Sequence, residues 1–164
     1  MLSVDEALDR VMAAAAAVAP LAIEEVPLDE AEGRILRERI VADRDMPPFT
    51  RSAMDGYAVR SADAARAPIT LRVVEEIPAG RQPEKAVGPG EASVIMTGGA
   101  LPPGADAVQM VEKTEPEGPG RVRILAPVAA GEHVRRAGED LPAGSELLEA
   151  GGALSAADIS LLAS

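Results

Sequence analysis

Apolar and polar residues alternate in two rhythms along this 164-residue chain, helical near its ends and strand-like through its middle. Val4, Leu8, Val11, Met12 and Ala15 recur at three- and four-residue intervals, the spacing of one helical face. Ser3 and Glu6 precede them as a capping box, in which the hydroxyl accepts from the amide three residues on and the carboxylate reaches back. Pro20 is expected to close this helix. The apolar run 11–23 falls short of the roughly 20 residues that span a bilayer, so it predicts a buried helix, with alanines 13–17 as a close-packed face. A second short helix is expected over 28–32, stopped by a left-handed Gly33. Residues 35–41 fit helix or strand equally. From Ile69 the period becomes two: Ile69, Leu71, Val73 and Ile77 are expected on one strand face, and Thr70, Arg72 and Glu76 on the other. Residues 92–96, 107–112 and 121–125 are further strands between Gly/Pro turns such as Glu117-Gly-Pro-Gly120. Ser155 can cap a last helix through Ile159 and Leu162, with Asp158 favourable in its first turn.

Helices at both ends and strands between them predict an α+β protein. A β-rich domain over 49–140, a small antiparallel barrel or sandwich, is expected to be inserted into a helix-containing domain made of 1–48 and 141–164. Two consecutive domains would leave each terminal piece little to pack against.

Composition narrows the chemistry. Hydrophobic residues make up 47% of the chain, but Phe49 and Tyr57 are its only aromatics, so the core must be Ala, Val, Leu, Ile and Met. A net charge of −11 argues against nucleic acid and anionic membranes as partners, because phosphate backbones draw on basic patches. The absence of cysteine excludes disulfides, thiolate metal sites and a cysteine nucleophile, and a single histidine, His133, excludes a two-histidine metal site within one chain. The N-terminus is acidic where a secretory signal would be basic, so a cytoplasmic protein is expected.

Both aromatics fall in one segment, Met46-Pro-Pro-Phe-Thr-Arg-Ser-Ala-Met-Asp-Gly-Tyr-Ala58, which marks it as the place to seek a site. Ser52 and Asp55 offer oxygen ligands, and Asp55 suits a magnesium contact, since hard cations take carboxylates. Equally, an Asp-Gly pair forms turns in which the carboxylate bonds its own backbone. Thr97-Gly98-Gly99, after a predicted strand, exposes amides and a hydroxyl suited to an oxyanion, although the spacing favours a plain turn and matches neither phosphate-loop fingerprint. In His133-Val-Arg-Arg-Ala-Gly-Glu-Asp140, Arg135 and Arg136 form the densest positive patch, a bidentate anion contact or a surface ion-pair network with Glu139 and Asp140. His133 reads as a packed or solvated loop residue. No Gly-x-Ser-x-Gly elbow supports serine catalysis.

In that order, Met46-Pro-Pro-Phe49, Ser52-Ala-Met-Asp-Gly-Tyr-Ala58, Ile95-Met-Thr-Gly-Gly-Ala-Leu-Pro-Pro-Gly-Ala-Asp-Ala-Val108 and Arg135-Arg-Ala-Gly-Glu-Asp140 closely resemble the MoeA family, the molybdopterin molybdenumtransferases related to the gephyrin E domain. Gly33-Arg-Ile-Leu36 and the terminal Leu154-x-x-Ala-Asp-Ile159 fit as well. The resemblance implies molybdenum insertion from molybdate into adenylylated molybdopterin with Mg²⁺, in a homodimer with molybdopterin adenylyltransferase as pathway partner. It assigns Asp55, Thr97 and Asp140 to catalysis, Asp55 and Asp140 also to the metal, and Ser52, Gly98, Arg135 and Arg136 to cofactor binding. Family members continue into a pterin-binding domain, whereas this sequence stops at Ser164. The resemblance therefore implies the first two domains, expected to be inactive alone. The competing reading is a non-catalytic dimerisation or partner-docking module of the same fold.

Overall fold

The computed structural model describes residues 2–19 and 21–164, so the expected role of Pro20 lies outside the described residues. In chain order the elements are α1 (Val4–Ala16), a 3-10 turn (Leu28–Glu30), β1 (Ile40–Val41), β2 (Arg51–Ser52), β3 (Gly56–Val59), α2 (Ser61–Ala64), β4 (Ile69–Ile77), β5 (Glu91–Ile95) and β6 (Ala107–Met110). There follow a second 3-10 turn (Val111–Lys113), β7 (Thr114–Pro116), β8 (Arg121–Ile124), β9 (Val134–Arg135), β10 (Glu146–Leu148) and α3 (Ala156–Leu162). The chain divides into two compact units, Met1–Ile40 with Leu148–Ser164, and Val41–Leu147. These divisions lie outside the expected 48/49 and 140/141, because residues 42–47 and 138–145 bond to one another: Met46 N donates to the Leu141 carbonyl (2.7 Å), and Asp45 Oδ1 accepts from Ala143 N (2.8 Å).

In the smaller unit, α1 begins at the expected Ser3–Glu6 capping box, and the bond from Ser3 N to Glu6 is 2.8 Å. The Ser3 amide, then its hydroxyl, hold the Glu6 carboxyl below its ordinary range. The expected burial of this helix is not what the fold provides: every described residue of α1 is exposed, Val4 at 83%, and Leu21 beyond it at 92%. Amphipathic spacing specifies that a face can be buried, but the chain must also supply an opposing surface. What joins the two ends is a backbone ladder: Gly33 N donates to the Leu154 carbonyl (2.7 Å) and Leu36 N to that of Gly152 (2.9 Å). Residues 35–41, open to either reading, form no helix: Ile35 is bridged to Ala153 and Ile40–Val41 is a short strand. Gly33 has φ +78° where a left-handed stop was expected. Ser155 and Asp158 cap α3 reciprocally, and the Ser155 hydroxyl, then its amide, lower the Asp158 carboxyl.

The larger unit is built on a six-stranded sheet in the order β6-β3-β5-β4-β8-β7. The expectation of an antiparallel barrel or sandwich needs one correction, since β4 and β5 run parallel. A parallel pair requires a long crossover, and residues 78–90 provide it, pinned where Glu75 accepts from the amides of Glu84 (2.8 Å) and Lys85 (3.0 Å). The sheet is buried on both faces. Val59, Leu71, Ala92, Ala107, Val122 and Ile124 form one cluster; Ala58, Ile77, Ile95 and Val108 form the other. Neighbours such as Ala58 and Val59 point to opposite faces of a strand, which is how two cores arise from one sheet. Ile69, Leu71, Val73 and Ile77 therefore do not share one face. The register passes from Val73↔Ala92 to Glu75↔Ser93, so a bulge at Val74 reverses the alternation and sends Ile77 to the second core.

β3 was absent from the strand pattern, yet it lies between β5 and β6. Gly56 opens it because β6 passes too close for a side chain: a Cβ there would stand 2.0 Å from the Gln109 carbonyl oxygen. A long-range cap orders α2, where Asp106 accepts from Ser61 N (2.6 Å) and Ser61 Oγ (2.7 Å). Among the described residues no helix is long and apolar enough to cross a membrane.

Candidate functional site

The approach to β3 and the end of β5 bring Asp55 and Thr97 together. Asp55 Oδ1 accepts from both the amide and the hydroxyl of Thr97, each at 2.7 Å. The Thr97 amide, and second its hydroxyl, hold the exposed Asp55 carboxyl below the usual carboxylate value. The local reading of Asp-Gly as a self-bonded turn is thus replaced by a contact across 42 residues of sequence. Backbone bonds fix the carboxylate from below, as Val111 N donates to the Asp55 carbonyl (3.1 Å). Both bonds fall on Oδ1, so Oδ2 faces solvent without a protein hydrogen bond among the described residues.

Ser52 and Gly98 lie beside this pair but as framework. Ser52 is 2% exposed, and its hydroxyl donates to the Met54 carbonyl (2.5 Å) while accepting from Met54 N (3.2 Å). The Gly98 amide, at φ +81°, donates to the Ser52 carbonyl (2.9 Å), and Ser52 N donates to that of Gly99 (2.9 Å). With Gly99 N bonded to the Met96 carbonyl (2.8 Å), all three amides of Thr97-Gly98-Gly99 are engaged. The oxyanion reading of this turn loses its donors for that reason.

Arg135 and Asp140 form a second group. Arg135 Nη2 pairs with Asp140 Oδ1, and its Nε lies 3.3 Å from Glu139 Oε1 without hydrogen-bond alignment. Glu139 also accepts from Arg136 N (2.8 Å). An ion-pair network, one of the two readings of this run, is present. Its position is set by a ladder in which Ser52 faces Val134 and Arg51 faces Arg135. The ladder continues to Ala53 N on the His133 carbonyl (2.9 Å) at one end and Asp140 N on the Met46 carbonyl (2.9 Å) at the other. Asp55 lies past the first end and Asp140 at the second. The two expected metal carboxylates thus lie toward opposite ends of this ladder, and among the described residues no group of three or more His, Asp or Glu side chains could hold a metal ion.

The Arg136 side chain turns to a different opening, a groove of about 310 Å³ lined by Thr50, Leu101, Asp106, Val134 and Arg136 among others. His133 adopts φ +59°, and its half-buried ring places Nε2 3.5 Å from Glu132 Oε1 with no hydrogen-bond partner. The residue that sequence reasoning passed over is Arg51. Its only signal was its place inside the aromatic-bearing motif; its pairing opposite Arg135 is a tertiary fact.

The sequence pattern described as MoeA N-terminal region (domain I and II) matches residues 2–164. A molybdopterin molybdenumtransferase of Nostoc is 46% identical over 144 residues, 85% of this chain and 33% of that protein. One of Synechococcus elongatus is 41% identical over 156 residues, 92% of this chain and 38% of its own length. The chain thus spans about a third of the length of these curated relatives. Among solved structures, the molybdopterin biosynthesis moeA protein of Pyrococcus horikoshii OT3 superposes with a TM-score of 0.79 at 43% identity, covering 85% of this chain and 38% of that one. Agreement in sequence over residues 2–164 and in fold over 85% of the chain leaves one conclusion: the chain belongs to the MoeA family, as its N-terminal region of domains I and II.

Proposed function

We propose that this chain supplies part of the site at which molybdenum from molybdate is inserted into adenylylated molybdopterin, with Asp55 as the side chain that serves the chemistry. The observation that carries the reading is the Asp55–Thr97 contact, which joins two of the family's motifs through one carboxylate oxygen and leaves the other open to solvent. Thr97 acts on Asp55: its two donors fix the carboxylate's orientation and hold it ionised. A preorganised charge of this kind stabilises developing charge without reorganising during reaction. Magnesium fits Asp55, because that ion takes one or two carboxylates and fills its other positions with water and phosphate oxygens. When bound it would neutralise phosphate charge. Asp140 is already neutralised by Arg135, so its role here is to hold that arginine in place. The cofactor, the homodimer and the link to molybdopterin adenylyltransferase remain part of the proposal, as does inactivity of the 164-residue chain on its own.

The second reading, a non-catalytic dimerisation or docking module, is favoured by the exposed apolar side chains of α1 and by the engaged donors of Ser52 and Gly98. Asp55→Asn in a protein carrying both this region and a pterin-binding domain separates the two. Catalytic service predicts a melting temperature only slightly lowered at neutral pH, by loss of the charged acceptor for Thr97, with insertion into adenylylated molybdopterin slowed about tenfold or more. Full insertion by a stable variant would return Asp55 to a structural role and favour the module.

A further inference from the structure

The ladder between β2 and β9 places two arginines directly opposite one another, Arg51 facing Arg135, next to Ser52 facing Val134. Ser52 is buried and Val134 packs against the cluster of Ala58, Ile77, Ile95 and Val108, so that side of the ladder faces the core. Side chains alternate along a strand, which puts both arginines on the opposite, outer side, with Cβ atoms about 5 Å apart. Like charges in this arrangement repel. Arg135 is compensated by Asp140 and Glu139. Arg51 is not. Among the described residues it is the one arginine that is half-buried yet has no carboxylate within ion-pair reach; the half-buried Arg60 and Arg135 both have one. On its other side it is bridged to the small, buried Ala100, which brings no charge. In a chain with 27 Asp and Glu residues, this half-buried guanidinium sits beside another cation with no carboxylate among the described residues within ion-pair reach.

We propose that Arg51 and Arg135 form a two-arginine seat for a tetrahedral oxyanion, taken either as a free ion or as a terminal phosphate group. Guanidinium forks match such an ion in a bidentate manner and are less strongly hydrated than ammonium groups. The bound anion supplies the countercharge that Arg51 lacks and shares Arg135 with Asp140, a competition that sets the affinity in the millimolar range at low salt. The seat rests on the reading above, naming anion contacts in the same domain, but its test needs no turnover and can fail while the Asp55 experiment succeeds.

Inorganic phosphate, molybdate and AMP are titrated in turn into the 164-residue chain at low ionic strength, followed by calorimetry and by the rise in melting temperature. Arg51→Ala is expected to weaken binding about tenfold, and Arg51→Lys, which keeps the charge and loses the fork, to fall between it and wild type. Arg123→Ala removes the same charge from an exposed strand position elsewhere and is expected to leave affinity within about twofold. Without any anion, Arg51→Ala should melt no lower than wild type, since it relieves the repulsion, and this reports directly that it folds. Tighter binding of AMP than of phosphate identifies a nucleotide phosphate as the occupant; equal or weaker binding identifies a free oxyanion. The seat is overturned if wild type binds none of the three below about 10 mM, if Arg51→Ala binds as wild type does, or if Arg123→Ala weakens binding equally.

Discussion

Gly56→Ala should be strongly damaging to the larger unit, and the size of the effect can be worked out from the geometry. A Cβ on Gly56 would lie 2.0 Å from the Gln109 carbonyl oxygen, 2.9 Å from its carbonyl carbon and 3.1 Å from Met110 Cα. All three are backbone atoms, so no side chain can rotate away, and β3 must separate from β6 by about 1 Å to reach the 3.0 Å below which real Cβ contacts essentially never fall. β3 cannot shift freely the other way, because Gly56 is paired with Ile95 of β5 as well as with Met110. Overpacking of this kind costs about 1–3 kcal/mol. Weakening two ladder hydrogen bonds adds about 1 kcal/mol each. A total of about 3–5 kcal/mol corresponds to a fall in melting temperature of roughly 6–20 °C in a chain of this size. Two other glycines calibrate the measurement. Gly98→Ala meets open space but must hold φ +81°, at about 1–2 kcal/mol. Gly152→Ala meets neither obstacle and should be neutral or slightly stabilising. Thermal melts of the three variants test the order. A Gly56→Ala protein melting within about 2 °C of wild type, or no lower than Gly98→Ala, would refute the close approach of β6 as the reason for this glycine.

Leu71→Ala, in the first sheet cluster, should cost about 2–5 kcal/mol, whereas Leu8→Ala on the exposed face of α1 should change the stability of the monomeric chain by no more than about 0.5 kcal/mol; urea melts check both, and a large loss for Leu8→Ala would mean that α1 is packed. Because Thr97 lowers the Asp55 carboxyl, the stability this contact provides is complete above the ordinary aspartate value near pH 3.9 and disappears as pH falls through the lower folded value. The gap in melting temperature between wild type and Asp55→Asn should therefore close in acid, and a gap that stays constant across that range would exclude the linkage.

Local physics was enough for much of this protein. The Ser3–Glu6 and Ser155–Asp158 caps depend on contacts within a few residues, and they, the left-handed Gly33 and the strands β5, β6 and β8 form where their patterns lie. The order of four motifs was equally legible, because a motif is a string and needs no partner to be read. What the string cannot carry is the identity of the opposing surface. The apolar stripe of α1 specifies a face that can be buried, and only the fold determines that this chain leaves it exposed. Two-residue alternation in β4 predicted one face, and a bulge at Val74, dictated by the register with β5, divided it between two cores. The same holds at the site. Asp55 and Gly56 look like a turn until β6 forces the glycine and Thr97 takes the carboxylate. Ser52 and the Gly98 amide look like free ligands until each is found bonded to its neighbours. Arg51 looks like any arginine until β9 brings Arg135 opposite it. Composition and periodicity fix which groups are available, but whether a donor is free or engaged depends on residues tens of positions away, and that is decided only when the strands pair.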